Sequence, residues 1–168
     1  MVASAVIVRD ASFSNPIDDS KKMTPAARER AYSEIFEKCV VGVGISDAPM
    51  IDEINILQAT LFAMEEALKA LGQVPDCVLV DGNRAPKASY RFESVVDGDA
   101  QSFSIACASV VAKVTRDRMM EVFDDLYPKY GFRNHKGYGT PEHEAALKKH
   151  GPCGIHRKSF EPVKKHLV

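Results

Sequence analysis

No apolar run in this sequence approaches the ~20 residues needed to span a bilayer, so no transmembrane segment is expected. The apolar stretch Val2 to Val8 is too short for the core of a secretory signal and has no small-residue cleavage site behind it. Cysteine is scarce and scattered. Cys39, Cys77, Cys107 and Cys153 form no CxxC pair, and three of them sit in apolar stretches. They read as buried free thiols in a reducing compartment, not as a disulfide framework. There is no repeat, no low-complexity tract and no clear linker. Together these absences point to a cytoplasmic protein of one domain.

What is present is the composition of a soluble globular chain. The 168 residues are 45% apolar and 27% charged, enough for one domain with a real core and too few for two. The net charge of −1 conceals an asymmetry. Residues 1–112 hold 10 Lys and Arg against 16 Asp and Glu, a balance of −6, and residues 113–168 hold 12 against 7, a balance of +5. A basic end suits an anionic partner such as nucleic acid, although a solvated basic face looks the same.

Strand and helix signals alternate. Val2 to Val8 is rich in Val, Ala and Ile and predicts a strand. Asp10 to Ser20 reads as a polar loop. Thr24 and Pro25 open a helix as N-cap and first residue, and that helix buries Ala27, Ala31, Ile35 and Phe36 before ending at Lys38. Val40 to Ile45 is a second strand, whose glycines allow close packing or a bulge. Ile51, Ile54, Leu57, Leu61, Met64, Leu68 and Leu71 form one apolar stripe, so a single helix is expected from Ile51 to Leu71, stopped by Gly72. Cys77 to Val80 is apolar without alternation and predicts a fully buried strand. Arg91 to Val96 is a shorter one. A long helix runs from Ser102 to about Leu126, and Thr140-Pro141 opens another that closes at Gly151. Such alternation in one domain indicates an α/β layered fold.

Asp81 follows the buried strand in Val80-Asp-Gly-Asn83, and open α/β sheets place ligands beyond the C-terminal ends of their strands. A carboxylate there suits a metal, while Asp-Gly is also an ordinary turn. Asp117 shares a helix face with Lys113, four residues away. It reads either as a second carboxylate beside Asp81 or as half of an exposed salt bridge. Lys21 and Lys22 suit phosphate contact or simply begin a helix in solvent. Tyr138, between two glycines and close to Lys136, suits stacking on a base or sugar, or closure over its own loop. His135, His143, His150 and His156, with Cys153, do not match a four-ligand zinc spacing.

Several stretches, taken together and in order, closely resemble the type 2 ribonuclease H family, bacterial ribonuclease HII. They are Asp18-Asp-Ser-Lys-Lys22, Ile54-Asn-Ile-Leu-Gln-Ala-Thr60, Val80-Asp-Gly-Asn-Arg84, Gly98-Asp99 with Ser104-Ile-Ala106 and Ala108-Ser109, Ala112-Lys-Val-Thr-Arg-Asp-Arg118, Tyr127-Pro128 with Tyr130-Gly-Phe132, His135-Lys-Gly-Tyr-Gly-Thr140, and His156-Arg157 with Ser159-Phe160. The resemblance covers nearly the whole chain. It implies a ribonuclease H-like fold, a mixed sheet flanked by helices, with a helical C-terminal extension over about residues 128–168. It implies an endonuclease that cleaves the RNA strand of RNA–DNA hybrids and cuts at ribonucleotides embedded in duplex DNA. It also implies Mg²⁺ or Mn²⁺ held by four carboxylates, two of which map onto Asp81 and Asp117, with no small-molecule cofactor and no membrane. Lys21 and Lys22 map onto the phosphate contact and Tyr138 onto the RNA–DNA junction. Asn83, Ser109, Lys136 and Arg157 fall at the remaining substrate-binding positions.

The sequence departs from the family in one large way. The family begins with a strand ending in Asp-Glu-Ala-Gly-Arg-Gly, which supplies the other two carboxylates, and no such motif occurs here. Met1 stands just after the point where the motif would end. A misplaced start, a gene fragment or a deliberately shortened chain would each produce this pattern. Three expectations follow. The chain is weak or inactive as a nuclease, and the alternative is a remnant that binds nucleic acid without cutting it. The sheet has a slot between the Val2–Val8 strand and the strand ending at Asp81. That slot leaves marginal stability, draws the Val2–Val8 strand inward, or is filled by a partner copy. Asp97 and Gln101 also replace basic residues of the family, which weakens phosphate contact near the groove.

Overall fold

The computed structural model describes residues 1–167; Val168 lies outside the described residues. The chain forms two compact units. One, the sheet unit, comprises residues 2–45 and 60–114, and the other, the helical unit, comprises Met1 with residues 46–59 and 115–168.

In the sheet unit, β1 (Val2–Val8) pairs antiparallel with β2 (Cys39–Ile45), from Val2 opposite Ile45 to Val8 opposite Cys39. The period of β2 explains its two faces. Val41 and Val43 pack against a core of Ala31 and Ile35 from α1 (Pro25–Lys38) and Cys107, Val110, Val111 and Val114 from α4 (Phe103–Leu126). Gly42 and Gly44 face the other way. A side chain there would collide with the carbonyl oxygens of Ala67 and Ala63, on α2 (Ala48–Ala70). The glycines therefore let a helix backbone touch a strand backbone, the closest packing two elements can make. The β1–β2 ribbon is a middle layer, with α2 on one face and α1 and α4 on the other.

Capping fixes α1 as the sequence predicts. Thr24 accepts a hydrogen bond from the Ala27 amide at 3.2 Å, and Pro25 takes the first helical position. The expected burial of Phe36 is corrected. Phe36 is 47% exposed and leans on Tyr32 at 4.7 Å, because the buried stripe runs through Ala31 and Ile35 and the next residue turns ~100° away from it.

The long apolar helix is also corrected. Asn55, at φ 65 and ψ 165, breaks α2. Its side-chain oxygen accepts the amides of Leu57 at 3.0 Å and Gln58 at 3.2 Å, so Asn55 caps a new helix start. Leu57, placed in the stripe by periodicity, is 42% exposed. Beyond the break, Ala63, Ala67, Leu68 and Leu71 form the buried line.

The expected mixed sheet is divided. β3 (Val78–Asp81) pairs in parallel with β4 (Phe92–Val95), and this pair is not hydrogen-bonded to the β1–β2 ribbon. β1 has not moved inward to reach β3. A cavity of about 920 Å³ separates them, lined by Val2 to Ile7 on one side and Val78 to Asp81 on the other. For this reason β3 is not the fully buried strand its composition predicts, and Leu79 is 38% exposed. A short helix, α3 (Gly98–Gln101), leads into α4.

The helical unit has its own core of Met120, Tyr130, Phe132, Leu147 and Val163. These come from the second half of α4 and from α5 (Phe132–His135), α6 (Pro141–His150) and α7 (Glu161–Lys164), with the loop residue Tyr130. Thr140 and Pro141 cap and open α6 as expected. Asp52 ties the first part of α2 to the C-terminal segment, accepting the Lys158 amide at 2.7 Å, the Ser159 amide at 2.8 Å and the Ser159 hydroxyl at 2.6 Å. Of the thiols, Cys107 is buried, the other three are partly covered, and all are free. No helix among the described residues is long and apolar enough to cross a membrane.

Candidate metal and nucleic-acid site

Asp81 ends β3, where the chain must turn. Gly82 takes φ 93 immediately after it, a conformation that a side chain disfavours. The Asp81 carboxylate accepts the Gly98 amide at 2.9 Å through Oδ1, at the start of α3. Gly98 sits close against this carboxylate, since an added methyl group would lie 2.6 Å from the end of the Ile105 side chain and 3.3 Å from that same carboxylate oxygen. Among the described residues no hydrogen bond or ion pair reaches Oδ2, and Asp81 is exposed. An anchored carboxylate with one open oxygen at a strand end is suited to a hard cation.

Lys21 stands near α3 as well. Its ammonium is 3.7 Å from Asp99 Oδ2, with the Lys21 side chain 81% exposed and Asp99 almost covered. The loop that carries Lys21 and Lys22 is held at several points. Asp19 accepts the Lys21 amide at 2.9 Å, Ser20 shares a 2.8 Å hydroxyl contact with Ser109 of α4, and Arg28 donates to the carbonyls of Ser20 and Met23. Glu34 anchors the same loop further upstream. It accepts the amides of Ser14 and Asn15, the Asn15 side-chain amide and the Lys38 ammonium. The Lys38 contact and these amides hold its carboxyl down to about 2. Asn83 is exposed in the turn after Asp81, and Lys22 is exposed beside Lys21. The sheet unit thus brings Asp81, Lys21 and Ser109 onto connected elements through Gly98, Asp99 and Ser20. Sequence reasoning matched Asp99 and Ser20 to the family without giving either a role, and a buried Glu34 at helical spacing from Lys38 was a signal it left unused.

The helical unit holds the remaining expected residues. Asp117 lies half-buried on α4. Lys136 adopts the left-handed conformation at φ 50 and ends α5. Its carbonyl accepts Arg116 at 2.8 Å and its ammonium meets Glu121 at 2.7 Å. The same Arg116 guanidinium sits 5.4 Å from the Tyr138 ring centroid. Tyr138 is 59% exposed, as its glycine neighbours predict. Arg157 packs over Phe160 at 4.5 Å.

Beneath the Tyr138 loop, His143 and His156 form a hydrogen-bonded pair that the spacing did not reveal, with His135 stacked on His143. His143 Nδ1 lies 2.9 Å from the Tyr138 carbonyl, and its Nε2 lies 3.0 Å from His156 Nε2. His156 Nδ1 accepts the Cys153 amide at 3.0 Å and lies 3.1 Å from its sulfur. A carbonyl only accepts, so His143 carries its proton on Nδ1 and His156 on Nε2, an assignment inferred from partners. His135 stacks on His143 at 4.4 Å and contacts the Tyr130 carbonyl. Burial first, then the neighbouring His143, lowers His156 to about 4, and burial also lowers His143. Among the described residues no three His, Cys, Asp or Glu side chains are arranged to hold a metal ion.

A family model described as Ribonuclease HII matches residues 1–163. The ribonuclease HII of Parvibaculum lavamentivorans is 48% identical over 168 residues, covering 99% of this chain and 62% of that protein. That of Geobacter sulfurreducens is 48% identical, covering 99% of this chain and 77% of that protein. The chain therefore spans less than two thirds of the first of these relatives. Among solved structures, ribonuclease H2 from Pyrococcus horikoshii has a TM-score of 0.70 at 24% identity, covering 98% of this chain and 96% of that one. A complex of PCNA and RNase HII from Archaeoglobus fulgidus matches with a TM-score of 0.72 at 22% identity, covering 88% of this chain and 78% of that one. The fold is ribonuclease H-like.

Proposed function

This chain belongs to the ribonuclease HII family, and on that premise we propose that it acts on the RNA strand of RNA–DNA hybrids and on single ribonucleotides within duplex DNA. The observation that carries the reading is Asp81, a carboxylate anchored at a strand end with one oxygen open, inside a sequence matched to the family over residues 1–163. Asp81 and Asp117 would hold Mg²⁺ or Mn²⁺. Their oxygens fit such hard cations, which commonly take one or two carboxylates and complete their shell with water and substrate phosphate. When bound, a pair of such cations supplies a water nucleophile at neutral pH and neutralises charge on the leaving 3′ oxygen.

The chain's own residues do the positioning. Lys21 and Lys22 contact phosphate from a loop fixed by Ser20, Arg28 and Glu34. Tyr138 presents its ring at the RNA–DNA junction and is backed by Arg116. Lys136, Arg157, Asn83 and Ser109 complete the substrate surface. The protein is proposed to work in the cytoplasm as one domain. A second reading, binding without cleavage, has one observation in its favour: among the described residues no three metal-ligating side chains come together.

The test is a duplex carrying one ribonucleotide, incubated with the 168-residue chain and Mg²⁺ or Mn²⁺. Binding with slow or no cleavage is expected, with binding weakened by Lys21→Ala and Tyr138→Ala. Rapid metal-dependent cleavage, abolished by Asp81→Asn, would show that the ligand set is more complete than two carboxylates. Absence of binding to any hybrid would overturn the reading.

A further inference from the structure

The helical unit contains a group of buried imidazoles that the proposed chemistry does not use. We propose, on the reading of Tyr138 as a nucleic-acid contact, that His143 is a positioning residue for Tyr138. Backed by His156 and stacked on His135, it clamps the Tyr138 loop in its binding pose, and a proton taken up by these rings releases the clamp. All of these residues belong to the helical unit.

The loop needs holding. Lys136 and Gly137 take φ 50 and φ 79 in succession, and a residue other than glycine stays in that region only where its surroundings enforce it. The Tyr138 ring stands in solvent above Arg116, so its pose follows the pose of its main chain. That main chain is gripped by two imidazoles in opposite tautomers. His135 Nδ1 accepts the Gly137 amide at 3.1 Å, which leaves its proton on Nε2, 2.8 Å from the Tyr130 carbonyl. His143 Nδ1 donates to the Tyr138 carbonyl at 2.9 Å, which leaves Nε2 to accept from His156 at 3.0 Å. His156 accepts the Cys153 amide through Nδ1 at 3.0 Å. A neutral imidazole has one donor and one acceptor, and in each of these rings both are used. The next proton therefore finds no free lone pair. On His135 it opposes the Gly137 amide, on His143 the His156 N–H, and on His156 the Cys153 amide.

The surroundings act in the same direction. Burial lowers His143 and holds His156 at about 4. His143 faces His135, which lowers it further, and Glu144, which raises it. His156 faces His143, His135 and the Cys153 thiol. Glu142 faces His135, and Tyr130 packs against both His156 and His150. His135 and His143 stack at 4.4 Å, so charging both sets like charges face to face. The clamp is therefore intact at neutral pH and is lost as pH falls below 6.5 toward 4. Arg116 keeps its bond to the Lys136 carbonyl throughout, because a guanidinium does not titrate in this range. The consequence runs against simple electrostatics. Protonated histidines make the protein more positive, which by itself strengthens contact with an anionic duplex. The clamp predicts that the share of affinity due to Tyr138 falls instead.

The experiment measures binding of a fluorescently labelled RNA–DNA hybrid to the full chain in EDTA, so that no cleavage intervenes. At neutral pH, Tyr138→Ala is expected to weaken binding about tenfold, as the loss of one stacked aromatic does. His143→Leu should weaken it nearly as much and add little to Tyr138→Ala in the double substitution. His143→Asn places an amide N–H where the Nδ1 proton stood and should restore most of the affinity. As the pH is lowered to about 4.5, the ratio between Tyr138→Ala and the parent should shrink toward one, and should shrink less in the His143→Asn background. Nitrogen-15 spectra of the imidazoles supply a readout without nucleic acid and without a variant. They should show His143 protonated on Nδ1, and His135 and His156 on Nε2. Unchanged binding by His143→Leu, additive losses in the double substitution, a Tyr138 share independent of pH, or the opposite tautomer of His143 would each overturn the proposal. If His143→Leu fails to fold, His143→Asn, the pH profile of the parent and the tautomers decide. Absence of any hybrid binding at neutral pH would instead sink the nuclease reading, and the tautomers with amide exchange at Gly137 and Tyr138 would still decide the clamp.

Discussion

At the scale of the residue, the histidine pair makes the sharpest demand. His156 has an ordinary value near 6.5 and is held at about 4 in the fold. A group lowered in this way takes up a proton on unfolding, so the stability it contributes is present above pH 6.5 and is lost as pH falls toward 4. The loss is on the order of 3 kcal/mol, and His143 titrates in the same direction. Denaturant unfolding between pH 7 and pH 4 should show this slope, and His156→Gln should flatten it. An unchanged slope in the variant would mean that other groups dominate. Sequence reasoning recognised these histidines only as a poor zinc set. His150 follows His143 by seven residues on α6, whereas the partner of His143 is His156, brought in by the loop after α6. Contacts across a loop leave no periodic trace. Tyr138 was legible because its two glycines are local.

At the scale of the element, caps and short strands were legible and the break in α2 was not. Thr24-Pro25 and Thr140-Pro141 act within one turn of themselves, so their sequence signals map directly onto geometry. The stripe from Ile51 to Leu71 obscured Asn55, although Asn55-Ile-Leu-Gln58 has the form of a helix start, a capping residue followed three positions later by Gln. Periodicity counts side chains and does not register a backbone reset. Asn55 sits at φ 65 and ψ 165, a region costing roughly 1–3 kcal/mol for any residue but glycine. Asn55→Gly loses the two side-chain cap bonds but relieves the strain, so its stability should stay within about 1 kcal/mol of the parent. Asn55→Val loses the cap and adds β-branched strain, and should cost on the order of 2 kcal/mol or more. Thermal melts of the two variants decide it, and equal melting temperatures would refute the assignment of Asn55 as a strained cap.

At the scale of the whole molecule, the family resemblance predicted a slot between the Val2–Val8 strand and the strand ending at Asp81, and a cavity lies there. The β1–β2 half-sheet is otherwise complete, because its glycines and valines each serve one face. What the sequence could not disclose is that β1 stays paired with β2 alone and does not shift across to β3. Pairing with β2 over seven positions and packing on α4 hold it there. The proposed function assigns metal binding to Asp81 and Asp117. The most direct test is titration of the 168-residue chain with Mn²⁺, following the free ion by electron paramagnetic resonance. The parent should bind weakly, and Asp81→Asn and Asp117→Asn should each weaken binding by roughly tenfold, with the double substitution adding little, because both carboxylates serve one site. Binding that neither substitution changes, or that each changes independently, would contradict a shared metal site.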